Sequence, residues 1–323
     1  MNLKQNIYLE VWDAPDGGIK MLDATGLRVD FDVRDIPEFS RGVFTIYNLT
    51  DETIKNLASG ERYVTLKVQL HDGEVQLLAN RFFVNNLTDE LILPDRITKL
   101  FCFDRLRNTY LEKQVSLPVG NNPSLKNMVD SLLQDSGYGT TQDTDFKSFP
   151  AGVIYQPSKK STRVLNGSAQ QNLRKLGKEF HFEVYTTVSG RIEFQYYPDI
   201  KNVNKTTLAT KVPDVILSTR SMRSNPKIGI GSCTIHNLLD GRIRATSVLD
   251  LSKLLVVAVE GDDETLQLVE NYVQNFSANS KYTAFAVTHT GSNYTAEWST
   301  RITGYSPTRG KLMPTYLWAG RTK

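Results

Sequence analysis

The segment that most limits what this chain can become is residues 27–57, LRVDFDVRDIPEFSRGVFTIYNLTDETIKNL. Leu27, Val29, Phe31 and Val33 alternate with Arg28, Asp30, Asp32 and Arg34, a period of two that marks a strand with one buried face and one wet face. Val43-Phe44-Thr45-Ile46-Tyr47 is a second, β-branched and aromatic run, closed by Asn48-Leu49-Thr50. Thr50 or Asp51 can then cap a turn or two of helix, in which Ile54 and Leu57 form an apolar pair. A half-apolar strand must bury that face against something, so these residues predict a β-rich sheet or barrel carrying one small helix.

The flanking sequence supplies more strands. Residues 7–12, 63–70, 77–85, 90–93 and 96–104 read as strands, with Ala14-Pro15-Asp16-Gly17-Gly18 and His71-Asp72-Gly73 as turns. Residues 1–105 therefore predict a barrel or sandwich. The texture then changes. Ser124 precedes Leu125, Met128, Val129, Leu132 and Leu133 at helical spacing, with Gly137 as a stop. A second short helix is predicted over 168–177, capped by Ser168 and ended by Gly177, and a hairpin over 180–185 and 191–197 turns at Ser189-Gly190. Residues 106–210 thus predict a small α+β domain. From Val215 the chain turns β again, over 228–235, 242–249, 254–259 and 281–288, with an acid-led amphipathic helix at 262–273. Asp262-Asp263-Glu264-Thr265-Leu266 echoes Thr50-Asp51-Glu52-Thr53-Ile54, which fits two related β domains at 1–105 and 211–323.

Phe31, Val33 and Ile46-Tyr47-Asn48-Leu49-Thr50, followed by the 63–71 strand, resemble the opening of phage tail baseplate hub proteins. The helix–loop–helix–hairpin order of 106–210 resembles that family's inserted middle domain. Tyr282 to His289 and Gly291, followed by Trp298-Ser299-Thr300, resemble its closing signature, with Ser292 where an acidic residue is common. The resemblance implies two tail-tube-like β-barrels flanking an α+β domain. It also implies a homotrimeric ring that joins a sixfold tail tube, or the tape-measure end, to a threefold central spike. Such a ring contacts other baseplate proteins and lines a channel through which DNA passes only in transit. The protein is then expected in the virion, at the tail baseplate, after synthesis in the host cytoplasm. Phe31, Val33, Ile46, Tyr47, Asn48, Leu49, His289, Gly291 and Trp298 are the motif residues.

Composition bounds the alternatives. The chain has 323 residues, 40% hydrophobic and 23% charged, and a formal net charge of +3; this is ordinary globular usage and too little charge to argue for nucleic-acid binding. Lys159-Lys160 with Arg163 is the nearest approach to a basic tract and reads as a solvated loop. No apolar run approaches membrane-spanning length, and the N-terminal residues lack the apolar core of a secretory signal. Cys102 and Cys233, the only cysteines, predict buried free thiols.

Catalytic and metal patterns are missing. His71, His181, His236 and His289 fall at no metal-binding spacing. His289 could be a general base or a ligand, but the expected role is an imidazole pinning the turn before Trp298. Gly229-Ile230-Gly231-Ser232 reads as a bulge or a close backbone approach, since no third glycine or helix follows. Glycoside hydrolysis needs two carboxylates across a cleft. The pairs Glu179 with Glu183, and Glu260 with Asp262 and Asp263, are explained instead by a helix–strand junction and a helix cap. The expectation is a structural protein with no enzymatic activity, metal or cofactor. The other readings are a carbohydrate- or receptor-binding module built on Trp12, Trp298 or Trp318, a tail-associated hydrolase, and the hub of a phage-derived contractile injection device.

Overall fold

Side-chain alternation sorts the first hundred residues into β1 (Gln5–Trp12), β2 (Lys20–Asp23), β3 (Val29–Ile36), β4 (Phe39–Tyr47), β5 (Tyr63–Leu70), β6 (Gln76–Ile92) and β7 (Asp95–Phe103), with helix α1 (Asp51–Ala58) after β4. The computed structural model describes residues 5–37, 39–70, 73–118, 124–138, 144–145, 164–180, 182–188, 191–196, 213–229, 232–254, 258–259, 281–295 and 297–305. The chain forms two compact units, Met1–Val33 with Pro37–Tyr196, and Arg34–Ile36 with Tyr197–Lys323. The fold is mainly β.

In the first unit the strands lie in the order β3-β4-β7-β6-β5-β1-β2. The predicted alternation is realised: Val29, Phe31 and Val33 are buried, as are Phe44 and Ile46 on β4. Register carries the same phase across the sheet, pairing Phe44 with Leu100, Leu9 with Leu66 and Val64 with Phe82, all of them buried. Thr50 caps α1 by accepting from the Thr53 amide at 3.2 Å, and Ile54 and Leu57 point inward. One expectation changes. The break predicted between 85 and 90 is absent, and β6 runs unbroken for 17 residues. A register shift between Val84 and Asn86 absorbs one residue, after which the polar segment keeps its backbone bonds by pairing with β7 out to Ile92–Asp95.

The same unit continues through a π-turn (Arg107–Leu111), β8 (Gln114–Pro118), α2 (Leu125–Asp135), β9 (Thr144–Asp145), β10 (Val164–Ser168), α3 (Ala169–Phe180), β11 (Phe182–Thr186) and β12 (Ile192–Tyr196). Ser124 and Ser168 cap the two helices through the amides of Asn127 and Gln171. Gly137 ends the α2 region in a left-handed conformation, φ 87°. Leu125, Met128, Val129, Leu132, Leu133, Leu173 and Leu176 share a core with Phe182 and Phe194. Gly177 does not stop α3, which runs on to Phe180. Instead, a Cβ there would sit 2.5 Å from the Phe182 carbonyl, so glycine is required by the close passage of β11. The β11–β12 hairpin forms as expected.

The second unit contains β13 (Val215–Ser218), β14 (Lys227–Gly229), β15 (Ser232–Leu238), β16 (Val248–Lys253), β17 (Ala258–Val259), β18 (Lys281–Ser292) and β19 (Ser299–Tyr305). They run β17-β14-β15-β19-β18, with β16 beside β18 and β13 beside β16. The single strand predicted over 228–235 is a hairpin, Gly229 pairing with Ser232. The strand predicted over 242–249 begins only at Val248. Asp240 turns the chain ahead of it, accepting from the Arg242 amide, and Thr246 stands at φ 75°, outside any strand. The strand predicted over 254–259 is likewise interrupted at its start, where the Leu254 amide closes a turn on Leu251. Leu217, Cys233, Ile235, Leu249, Leu251, Tyr282, Val287 and Ile302 make the core. The 262–273 helix with its echo of 50–54, the turn at Ser189-Gly190, Ile230-Gly231, Lys159-Lys160, Arg163, His71, His181, Glu260 and Trp318 lie outside the described residues.

Candidate functional site

Two groups of motif residues result, one in each unit. In the first, Phe31, Val33, Ile46 and Leu49 are buried apolar residues that fix the phase of β3, β4 and the α1 junction. Asn48 turns the chain from β4 into α1 in the left-handed region, φ 60°, which asparagine tolerates better than most residues. Its amide donates to the Arg96 carbonyl at 2.8 Å, its Oδ1 accepts from the Arg96 amide at 2.9 Å, and its Nδ2 donates to Asp95 at 3.1 Å. The Arg96 guanidinium clasps Asp89 at 2.7 Å and reaches Asp51 in the first turn of α1. Both carboxylates push the arginine further toward its cationic form. On the other face, Tyr47 donates to Asp30 at 2.7 Å under the Arg28 guanidinium, 3.9 Å from the ring centroid. Burial, then the Asp30 carboxylate, holds the phenol above its ordinary range. The IYNL motif is thus a clasp between the start of α1 and the β6–β7 hairpin.

The second group is buried. His289 Nε2 lies 3.1 Å from the Ile243 carbonyl, and Nδ1 lies 3.0 Å from Thr300 Oγ1. A carbonyl only accepts, so Nε2 carries the proton and Nδ1 accepts from the Thr300 hydroxyl. Thr300 Oγ1 in turn accepts from the Asp240 amide at 2.9 Å. Complete burial, reinforced by the nearby Arg244 cation, drives the imidazole well below its usual range and keeps it neutral. Arg244 itself donates to the buried Asp35, of the Arg34–Ile36 run in this unit, at 3.1 Å. The imidazole therefore anchors the 240–244 turn. The turn before Trp298 is closed by Trp298 itself, whose indole N–H donates to the Ser292 carbonyl. Ser292 Oγ accepts from the Tyr294 amide at 3.1 Å, and Gly291 is buried beside it in β18.

No reacting constellation is assembled among these groups. Glu183 is buried in β11 and Glu179 is exposed in the last turn of α3. His236 is pushed down by partial burial and by Arg301 and Arg223. Burial raises both cysteine thiols. Among the described residues no three His, Cys, Asp or Glu side chains are grouped to hold a metal, and no helix is long and apolar enough to cross a membrane. Trp298 is buried and Trp12 lies under Arg81, 3.9 Å from the ring centroid, so neither offers an open sugar platform.

Sequence reasoning missed the partners of the motifs, Arg96, Asp89, Asp95, Thr300 and Asp240. It also missed the end of the β6–β7 hairpin. Leu91, Ile92 and Leu93 are 69%, 55% and 83% exposed. The apolar run between Glu90 and Asp95 was the available signal, and it reads equally well as one more short buried strand.

No family model matches the chain, and no curated protein matches it in sequence. Solved structures do. The prophage MuSo2 43 kDa tail protein from Shewanella oneidensis aligns with 95% of this chain and 99% of its own at TM-score 0.52 and 8% identity. The fold is one that phage tail proteins adopt. The tail protein from Neisseria meningitidis MC58 covers 94% of this chain and 99% of its own at TM-score 0.52 and 8% identity. The E. coli c3393 protein, a type VI secretion component with structural similarity to T4 bacteriophage tail proteins gp27 and gp5, covers 95% of this chain and 75% of its own at 0.52 and 9%. At these identities it is the backbone path that is shared.

Proposed function

We propose that this chain is a non-enzymatic structural subunit of a phage tail baseplate. In this reading it is a hub, a homotrimeric ring that joins the sixfold tail tube, or the tape-measure end, to a central threefold spike and lines the channel used for genome ejection. The observation that carries the reading is the extent of the likeness: two tail proteins, one of them from a prophage, align over 99% of their own length, so the whole architecture is shared rather than one portable module. The opening and closing motifs support it, since each is used to fix a junction in a mainly β framework. In this reading two tube-like barrels, 1–105 and 211–323, flank the α+β domain 106–210, and three copies present six similar faces to a sixfold tube. Ring closure also covers strand edges that would otherwise stay open to aggregation. The other partners are neighbouring baseplate proteins, with DNA only passing through, no membrane insertion, and residence in the virion tail.

The likeness to a type VI secretion component favours a second reading, the hub of a phage-derived contractile injection device. Solution mass by light scattering across a concentration series, followed by negative-stain imaging, tests the shared core of both. A species near three times 36.4 kDa with a central hole is expected. A monomer at every concentration removes the ring.

A further inference from the structure

The β6–β7 hairpin ends in an apolar tip that its own unit leaves in solvent. From Asn85 to Pro94 no residue is buried, and Leu91, Ile92 and Leu93 follow one another at 69%, 55% and 83% exposure. Isolated exposed leucines need no explanation, but three contiguous large side chains at the end of an arm mark an interaction surface. The tip is also acidic. Asp89 and Asp95 flank the apolar run paired with Arg96 and Arg28, at 2.7 and 3.7 Å, while Glu90, beside Leu91, has no ion-pair partner among the described residues.

A surface of opposite character lies on the second unit. The solvent face of β15, β19 and β18 carries Leu238, 45% exposed, with His236 paired opposite Arg301 and Thr288 opposite the same arginine on the other side. Arg223 reaches this face through its amide on the His236 carbonyl at 2.8 Å. Thr234, Thr303 and Thr290 complete it, and it holds no carboxylate among the described residues on these three strands. Both arginines bear on His236, holding its imidazole below the ordinary range after burial has done so.

We propose that the acidic apolar tip of one copy docks on the basic face around Leu238 and Arg301 in the second unit of another copy. The inference rests on the assembly reading above and specifies its contact. Charge chooses the arrangement: two tips bring Glu90 against Glu90, two faces repel through Arg223 and Arg301, and tip against face is attractive. Such a contact is heterologous, head to tail, and heterologous contacts generate rings when the rotation closes. The tip alone is too small for a stable interface, so it acts as an anchor within a larger contact.

Leu93→Lys removes the foremost anchor and places a cation against a basic face. Arg301→Glu reverses the face. Both positions are exposed, and circular dichroism checks that each variant is folded. Each alone is expected to weaken self-association about tenfold or more in light scattering. Mixed in equal amounts, the two variants retain one intact junction, the tip of Arg301→Glu on the face of Leu93→Lys, and a dimer that neither forms alone is expected. The double variant Glu90→Arg, Arg301→Glu is expected to regain part of the wild-type mass. Wild-type assembly that Leu93→Lys leaves unchanged, or a mixture that stays monomeric, overturns the docking and leaves the ring reading standing. A wild-type monomer at all concentrations overturns both.

Discussion

The two motif regions do the same job by opposite electrostatics. In the first unit the Asn48–Arg96 clasp ties α1 to a hairpin with charged groups that remain in contact with solvent, Asp51 above all. In the second unit the Asp240–Thr300–His289–Ile243 relay ties a turn to two strands with neutral groups, of which the His289 and Thr300 side chains are fully removed from water. A wet ion pair contributes little and is screened by salt. A dry hydrogen-bond relay contributes little net stability when complete, but costs a great deal when one member is lost. The lesson is that two signatures of equal length in the sequence carry unequal energetic weight.

That asymmetry can be broken experimentally. The largest effect is expected from Trp298→Ala, which empties a fully buried indole site and orphans the Ser292 carbonyl; about 3–5 kcal/mol of unfolding free energy is expected to be lost in denaturant titration. Next is His289→Leu, which leaves the Thr300 hydroxyl and Ile243 carbonyl without their partner, at roughly 2–4 kcal/mol. If this variant is as stable as wild type, the relay is not structural.

The relay also has a pH signature. The folded imidazole sits well below its ordinary pKa, so below roughly pH 6.5 the unfolded chain binds a proton that the folded chain refuses. Stability is therefore fully present above that pH and falls as the pH drops, by up to about 1.4 kcal/mol per unit. The slope between pH 5 and 7.5 is expected to be shallower in His289→Gln. An unchanged slope assigns it to other groups, His236 first.

Smaller effects sharpen the contrast. Gly177→Ala forces a Cβ against the Phe182 carbonyl and is expected to cost about 1–3 kcal/mol. Asn48→Ala places a Cβ-bearing residue without side-chain bonds at φ 60°, at about 1–2 kcal/mol, while Asn48→Gly is expected to recover part of that. Arg96→Gln comes last. Its denaturation midpoint shift is expected to be the smallest of the series and to vanish at high salt, whereas the His289→Leu loss persists there.

Much of the framework was readable from local chemistry. Period-two alternation placed Val29, Phe31 and Val33 inward, and Thr50, Ser124 and Ser168 announced three helix starts, because strand phase and capping depend on neighbours a few residues away. The errors share a cause. Local polarity marks residues 85–90 as a break, and β-propensity marks residues 242–247 as strand. Pairing with β7 kept the first in a strand, and the Asp240 turn took the second out of one. Gly177 resembles a stop by residue type alone, whereas its role is the close approach of the Phe182 carbonyl as the chain leaves α3 for β11.

The sequence by itself determined a mainly β chain, the inward phase of its strands and the caps of its helices, since all of these follow from periodicities and side-chain reach within a turn or two. Only the tertiary structure decided that Asn48 grips residues 95–96, that His289 serves Ile243 and Thr300, and that Leu91 to Leu93 stand in solvent. Each depends on which distant strand lies alongside. That choice is set by the summed burial and hydrogen bonding of the whole fold, and no local pattern encodes it.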